Sequence, residues 1–165
     1  MYSFESRIRF SETDSNGRLS IGGLIDYFQD TSTFHAEDIG GGHDYLSKNN
    51  RAWIINSWQI EIDELPLLGE EVVVETWPYK FVKFIGYRNY VLRSKAGRVF
   101  ARANSVWALY DMVKAFPSAL SDEEMAVYTI EPQLPMEEKS RKIKVSGDFT
   151  ESRTGFPGVF LQVHP

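Results

Sequence analysis

The spacing of apolar residues between positions 13 and 42 predicts one long helix with a buried stripe. Apolar and small side chains recur at steps of three and four residues, which places them on one helical face. Ser20 suits the N-cap, and the glycines at 40–42 suit a left-handed helix end. Gly22 and Gly23 are poor helix formers, so a close approach of another segment is expected there. The predicted stripe contains Ile21, Leu24, Ile25, Phe28, Ser32, His35 and Ile39.

Alternating apolar and polar positions predict one strand before this helix and four strands after it. The stretch at 43–51 is polar and is predicted to be a loop. Pro78 indicates a bulge or an edge position in its strand, because proline cannot donate to a sheet ladder. In the second strand, the pattern places Ile54, Trp58, Ile60 and Ile62 on one face. The predicted strands are 4–10, 52–63, 71–81, 83–93 and 98–111.

This order of elements predicts an α+β fold in which an antiparallel sheet wraps around one long central helix, similar to the hotdog fold. Residues 1–130 are expected to form this domain. Ser121 and Glu124 match a capping box for one short helix near its end. The following segment contains two prolines and a run of charges, so 131–165 is expected to be a linker and the beginning of a second, truncated repeat.

The composition of the chain excludes several kinds of functional site. The chain has 165 residues, a net charge of -5, 14% aromatic residues and no cysteine. A thiolate metal site, a disulfide framework and a cysteine nucleophile are therefore excluded, and no other metal cluster or phosphate loop is expected. The absence of a long apolar run favours a protein without a membrane span, placed in the cytoplasm. The negative charge argues against nucleic acid as a partner.

Several segments spread over residues 4–130 carry a resemblance to a known family. They are FSETDSNGRLSIGGLIDYFQDTSTFHAEDIG, Trp53, WQIEI, PLLGE, VETW, GYRN and SVWALYD. Together they resemble the N-terminal hotdog domain of bacterial acyl-ACP thioesterases. The resemblance implies hydrolysis of the thioester of fatty acyl carrier protein in fatty acid biosynthesis, without a cofactor. It also implies acyl carrier protein and a fatty acyl thioester as partners.

The resemblance further implies an Asp-x-Asn-x-His-x-x-Asn motif in the catalytic repeat. Asp14 and Asn16 match its first two positions and are the candidate catalytic residues, but Arg18 and Ile21 occupy the other two. Histidine can transfer a proton near neutral pH, whereas arginine remains protonated. The turn is therefore a degenerate copy of the motif. Alternatively, Asp14 and Asn16 only bind the backbone of their own turn.

The aromatic residues suggest a tunnel for an acyl chain between helix and sheet. Trp53 and Phe84 are favoured as pocket residues, because the resemblance places the acyl pocket in the N-terminal repeat. The alternative is that these side chains are ordinary core, and His35 is likewise expected to be a core histidine. The candidate substrate-binding residues are Trp53, Phe84, Phe28, Trp58 and Trp107.

Three functions remain open on the sequence. The first is the N-terminal, acyl-binding part of an acyl-ACP thioesterase. The second is a self-sufficient single-hotdog acyl-CoA thioesterase acting as a homodimer, and the third is a non-catalytic acyl- or carrier-binding module. Arg18 favours the first and third, and an uncovered sheet edge predicts a homo-oligomer. Basic residues that could face the acidic carrier are Lys80, Lys83, Arg88, Arg93, Arg98, Arg102, Lys139, Arg141, Lys142 and Lys144.

Overall fold

The structure is a computed structural model that describes residues 1–137 and 139, and the backbones of 153–156 and 159–162. Its helices are α1 (Ile21–Asp38), α2 (His43–Lys48) and α3 (Asp122–Ala126), with a short 3-10 turn at Phe10–Glu12. Its strands are β1 (Tyr2–Arg7), β2 (Arg51–Ile62), β3 (Glu71–Val82), β4 (Ile85–Ser94), β5 (Val99–Asp111), β6 (Phe116–Pro117), β7 (Arg153–Phe156) and β8 (Val159–Gln162).

The main sheet is antiparallel and has the order β1-β3-β4-β5-β2, with the short β6 pairing with β5. It curls around α1, which lies on its inner face. This is the predicted hotdog fold. None of the helices in the described residues is long and apolar enough to cross a membrane.

The central helix begins and ends as its sequence predicts. Ser20 Oγ accepts a hydrogen bond from the Gly23 backbone N–H at 3.0 Å, and Gly40 follows the helix with φ +76°. A Cβ on Gly23 would lie 3.0 Å from the carbonyl oxygen of Glu12, which confirms the close approach expected there. At Gly22 no such approach occurs, since the nearest atom is 3.9 Å away.

The buried face of α1 is partly different from the predicted stripe. Leu24 and Phe28 are fully buried, but Ile21 is 46% exposed. Tyr27 and Thr31 are buried instead. Tyr27 can occupy this face because its hydroxyl donates to Glu12 Oε2 at 2.8 Å, which satisfies its polar end.

The core lies between α1 and the inner face of the sheet. Phe28 packs against Trp58 and Tyr90, with ring centroids 6.0 and 5.1 Å apart. Ala101 and Ala103 of β5 are fully buried opposite the helix, and their small side chains allow it to lie close.

Two β-bulges change which side chains face inward. One lies between Ile55 and Ser57, and the other between Pro78 and Lys80, as Pro78 indicated. Because one extra residue reverses the alternation of a strand, the first bulge places Trp53 on the inner face. Ile54, which was predicted on the same face as Trp58, points outward and is 43% exposed.

The segment predicted as a polar loop after α1 contains helix α2, so that prediction was wrong. Gly42 is its N-cap, Asp44 lies in its first turn and Lys48 in its last turn. These charges suit the helix dipole. The helix is only six residues long, which is too short for hydrophobic periodicity to reveal it.

The segment after α3 runs across the outer face of the sheet. The Trp77 Nε1–H donates to the carbonyl of Pro132 at 2.8 Å, and the Leu134 N–H donates to Asn89 Oδ1 at 2.8 Å. Strands β7 and β8, which the sequence did not predict, pair with each other. Their β-branched and aromatic residues around a Pro-Gly pair favour such a hairpin. The division of the chain into a domain at 1–130 and a second segment at 131–165 stays a prediction. Much of the second segment lies outside the described residues.

Candidate functional site

A cavity of about 510 Å³ lies between the helices and the inner face of the sheet. Its walls come from the C-terminal half of α1, from α2 and from strands β2 to β5. Such a volume is typical of small-molecule sites. Lining residues are Ser32, Thr33, Ala36, Glu37, Gly42, His43, Leu46, Ser47, Arg51, Ala52, Trp53, Pro78, Phe81, Gly86, Tyr87, Arg88, Trp107 and Tyr128.

One wall of the cavity is built on Gly86. A Cβ at this position would lie 2.9 Å from Cε1 of Phe81 and 3.2 Å from Cη2 of Trp53. The two bulges bring these rings to Gly86, since each bulge turns its aromatic residue toward the inner face. The ring centroids of Trp53 and Phe81 are 6.2 Å apart. The absence of a side chain at Gly86 therefore allows the aromatic wall to form.

A buried arginine forms the polar part of the wall. Arg88 is 8% exposed, and its Nη1 donates to Nδ1 of His35 at 3.0 Å and to Oγ1 of Thr76 at 3.2 Å. Arginine can only donate, so Nδ1 of His35 must accept and the ring proton must be on Nε2. No described carboxylate forms an ion pair with Arg88.

The environment keeps His35 neutral. Burial, followed by the positive charge of Arg88, lowers the pKa of His35 from 6.5 to about 4. Its ring also stacks on Tyr2, with centroids 5.2 Å apart, and meets the edge of Tyr128 at 6.3 Å. Burial likewise lowers the pKa of Arg88, although its guanidinium keeps its charge at any ordinary pH. His35 is thus a packed, hydrogen-bonded residue beside the cavity.

The other charged groups of the cavity wall are already engaged. Arg51 makes a two-point contact with Glu124, with Nε and Nη2 each 2.9 Å from a carboxylate oxygen. Glu37 Oε1 accepts the backbone N–H of His43 at 2.7 Å, at the start of α2. Among the described residues, no group of three or more histidine or acidic side chains could hold a metal ion.

The Asp14 turn lies at the other end of α1. Asp14 Oδ1 accepts the backbone N–H groups of Asn16 at 2.9 Å and Arg18 at 3.1 Å. These bonds, with the Arg18 amide contributing most, lower the pKa of Asp14. Both Asp14 and Asn16 are exposed, and Arg18 donates to the Leu65 carbonyl at 2.6 Å. The contacts are those of a self-satisfied Asx turn.

The turn and the cavity are well separated. The stretch of α1 from Ser20 to Ser32 rises about 1.5 Å per residue, so roughly 18 Å of helix lies between them. Neither Asp14 nor Asn16 lines the cavity. Their catalytic role stays a prediction, and this geometry supports the structural alternative.

The five candidate substrate-binding residues are in different places. Trp53 and Trp107 line the cavity, whereas Phe28 is fully buried in the core and Trp58 packs against that core. Phe84 lies in the turn between β3 and β4, outside the cavity wall. Phe81 lines the wall three residues earlier, because the bulge after Pro78 turns it inward.

Sequence reasoning missed Arg88, Tyr128 and α2 as parts of this site. Arg88 could have been found, because it alternates with Gly86 and Tyr90 on the strand face that packs against the helix. His35, already placed on the buried stripe, is its natural partner from that helix. Tyr128 and α2 left no such periodic signal.

Most basic residues on the strands do not form a free basic face. Arg93 pairs with Glu75 at 2.5 Å, Arg102 with Asp63 at 2.7 Å, and Arg98 with Glu64 and Glu70. Lys80 and Lys83 are exposed and form no ion pair with a described carboxylate. Arg141, Lys142 and Lys144 lie outside the described residues.

Comparison with known proteins gives a consistent result. A palmitoyl-acyl carrier protein thioesterase of Arabidopsis thaliana is 26% identical over 153 residues, and the acyl-[acyl-carrier-protein] hydrolase FATB3 of Cuphea viscosissima is 28% identical over 146. These alignments cover 87% and 82% of this chain but only 37% and 35% of the relatives.

Solved structures agree with the sequence matches. The crystal structure of an acyl-ACP thioesterase from Bacteroides thetaiotaomicron has a TM-score of 0.79 and 28% identity. The match covers 92% of this chain and 63% of the other. With 37% and 35% of their lengths covered, the chain spans well under two thirds of the two plant relatives. The family model described as the acyl-ACP thioesterase N-terminal domain matches residues 1–128, so this chain belongs to the acyl-ACP thioesterase family.

Proposed function

We propose that this chain is the acyl-binding part of an acyl-ACP thioesterase that hydrolyses fatty acyl carrier protein and releases free fatty acid in fatty acid biosynthesis. The cavity carries the proposal. Trp53, Phe81 and Trp107 give it an apolar, aromatic wall against which the methylene groups of an acyl chain lose their contact with water. Membership of the family supplies the reaction class.

Ligand binding by the purified chain tests this function directly. Decanoate and methyl decanoate should quench or shift tryptophan fluorescence in a saturable manner, because Trp53 and Trp107 lie in the wall. Trp107→Phe should remove part of that change, whereas Trp77→Phe, on the opposite face of the sheet, should leave it intact. No saturable binding of either ligand would refute the proposal.

The division of labour within the enzyme is also part of the proposal. In this chain the catalytic motif lacks its histidine, and Asp14 is held in a turn away from the cavity. We therefore assign substrate binding to this domain and the hydrolytic step to a second repeat with the complete motif. The single-hotdog alternative requires Asp14 beside the acyl thioester, and nothing in the geometry favours that arrangement.

Acyl carrier protein is the proposed carrier and Lys80 and Lys83 its proposed contacts. Both lysines are exposed, and acyl carrier protein is acidic, so opposite charges would favour their association. Charge reversal at Lys80 and Lys83 should weaken carrier binding. The same change at Lys114, which pairs with Asp111 at 3.4 Å, should have a smaller effect.

The second sheet of the complete fold is proposed to pair along β2. This strand has β5 as its neighbour on one side, and Ile54 and Ile62 are exposed on it. A second repeat or a second copy of the chain could cover them. Light scattering of the purified chain would distinguish a homodimer from a monomer of 18.9 kDa.

A further inference from the structure

Arg88 has N–H groups that form no hydrogen bond with the described residues. Its Nη1 donates hydrogen bonds to His35 and Thr76, but neither Nε nor Nη2 has a hydrogen-bond partner among the described residues. Among the described residues, every side-chain nitrogen or oxygen that is sealed from solvent has a hydrogen-bond partner. Since Arg88 lines the cavity, its unused N–H groups face that space.

The geometry of the unused groups is specific. The Nε–H and Nη2–H bonds of a guanidinium are parallel and match the two oxygens of a carboxylate. His35 and Thr76 hold the opposite side of the group, which fixes its plane. The guanidinium is therefore oriented before a ligand arrives, and little conformational freedom remains to be lost on binding.

The charged groups around the cavity also favour an anionic ligand. Arg51, the other arginine in the wall, is occupied by Glu124, and His35 is neutral. Glu37 is more than a salt-bridge distance from Arg88. A charged group that is 92% buried is costly without a counter-charge, and the apolar wall around Trp53 and Phe81 offers none. An anion entering this cavity would meet one uncompensated cation.

We propose that Arg88 is a carboxylate-binding residue, and that the cavity takes an aliphatic chain whose carboxylate is held by Nε and Nη2. This inference rests on the proposed acyl-binding function and adds a charge requirement to it. The carboxylate has two sources. It belongs either to the free fatty acid, the product of thioester hydrolysis, or to the far end of an acyl group derived from a dicarboxylic acid.

Binding of matched charged and neutral ligands tests the proposal. Titration calorimetry and tryptophan fluorescence would compare decanoate with methyl decanoate on the 165-residue chain, the ester having the same chain but no charge. We expect Arg88→Met to weaken decanoate about 10- to 100-fold, the range of a charge-assisted hydrogen-bonded contact. The methyl ester should change less than about twofold, since its binding depends on the apolar wall.

Two further variants control for folding and for net charge. Arg88→Lys keeps the charge without the two-point geometry, so decanoate should bind with an affinity between those of the original protein and Arg88→Met. This variant decides the question if Arg88→Met fails to fold. Arg102→Met removes the same charge from β5 outside the cavity and should leave both ligands unaffected.

The outcomes separate this inference from the proposed function. Decanoate and its ester binding equally well, and equally to Arg88→Met, would overturn the role of Arg88 and leave the acyl cavity intact. Failure of both ligands to bind the unaltered protein would refute the acyl cavity and the inference together.

A final pair of ligands identifies the source of the carboxylate. The decanoyl thioester of N-acetylcysteamine is neutral, and the corresponding half-thioester of sebacic acid carries a carboxylate at its far end. Stronger, Arg88-dependent binding of the sebacic derivative would indicate recognition of a dicarboxylic acyl group. Equal binding of the two thioesters, with Arg88-dependent binding of decanoate, would indicate recognition of the product.

Discussion

The two ends of helix α1 hold polar groups in opposite conditions. At the N-terminal end, Asp14 accepts two backbone N–H groups of its own turn, and Arg18 donates to a nearby carbonyl. At the C-terminal half, Arg88 is buried and leaves two donors open toward a cavity. The turn that resembles a catalytic motif thus satisfies its own hydrogen bonds, while Arg88, for which the sequence predicted no place in a site, has unused donors. Unused capacity at a buried position is the stronger indication of a binding site.

The largest expected effect on stability lies at the cavity end. Glu124→Gln should lower the free energy of unfolding by about 2–4 kcal/mol, because it leaves Arg51 buried without its counter-charge. Urea denaturation would measure this loss. Glu64→Gln serves as the matched change near the turn, since Glu64 pairs with Arg18 at 3.2 Å and its side chain is 43% exposed. It should cost less than about 1 kcal/mol, and equal losses would contradict the distinction between the two ends.

Substitutions of Gly86 at the cavity and Gly22 near the turn compare the two ends of α1 by ligand binding. Gly86→Val should weaken decanoate binding at least about tenfold and destabilise the fold by about 1–3 kcal/mol, because the added side chain overlaps Phe81 and Trp53. Calorimetry and thermal unfolding would measure the two effects. Gly22→Ala, near the turn, has room for its methyl group and should stabilise the helix by about 0.5–1 kcal/mol without changing binding. Unchanged binding in Gly86→Val would show that the ligand does not use this wall.

The Asp14 turn should affect stability and little else. Asp14→Ala should lower stability through the loss of two accepted hydrogen bonds, whereas Asp14→Asn keeps an acceptor and should lose less. Decanoate affinity should be the same in both variants. Acyl-ACP hydrolysis by the unaltered chain should be at background level, because the motif lacks histidine. Robust hydrolysis that disappears in Asp14→Ala would establish the single-hotdog alternative instead.

The sequence predicted the parts of the fold that depend on local periodicity. The extent of α1 and the long strands follow from repeating patterns over many residues, and the Ser20 cap follows from its residue type. The cavity depends on features that break those patterns. The bulge after Ile55 turns Trp53 inward, and the bulge after Pro78 brings Phe81 rather than Phe84 to the wall. A single extra residue has no periodic signal of its own, so only the proline hinted at one of them.

The role of Arg88 was hidden for a different reason. Arg88 alternates with Gly86 and Tyr90 along its strand, yet it was grouped with the basic residues that could face the acidic carrier, since arginine is seldom buried. In the structure Arg88 donates to His35, which was predicted on the buried stripe of the helix, and this contact satisfies part of the buried guanidinium.

The last predicted effect is a dependence of stability on pH that comes from His35. Its pKa is about 4 in the folded protein and 6.5 in the unfolded chain, so between these values the unfolded chain binds a proton that the folded ring does not. Stability should therefore fall as the pH decreases from 6.5 to 4. The share due to His35 should be about 1 kcal/mol, because the ring is only partly buried and water reduces the cost of charging it.

His35→Asn isolates this contribution, because asparagine keeps an acceptor for Arg88 but does not titrate in this range. The stability of the variant, measured by urea denaturation at several pH values, should depend less steeply on pH than that of the original chain. The same slope in His35→Asn would mean that His35 takes up its proton in the folded state, and that the hydrogen bond from Arg88 does not hold its ring neutral.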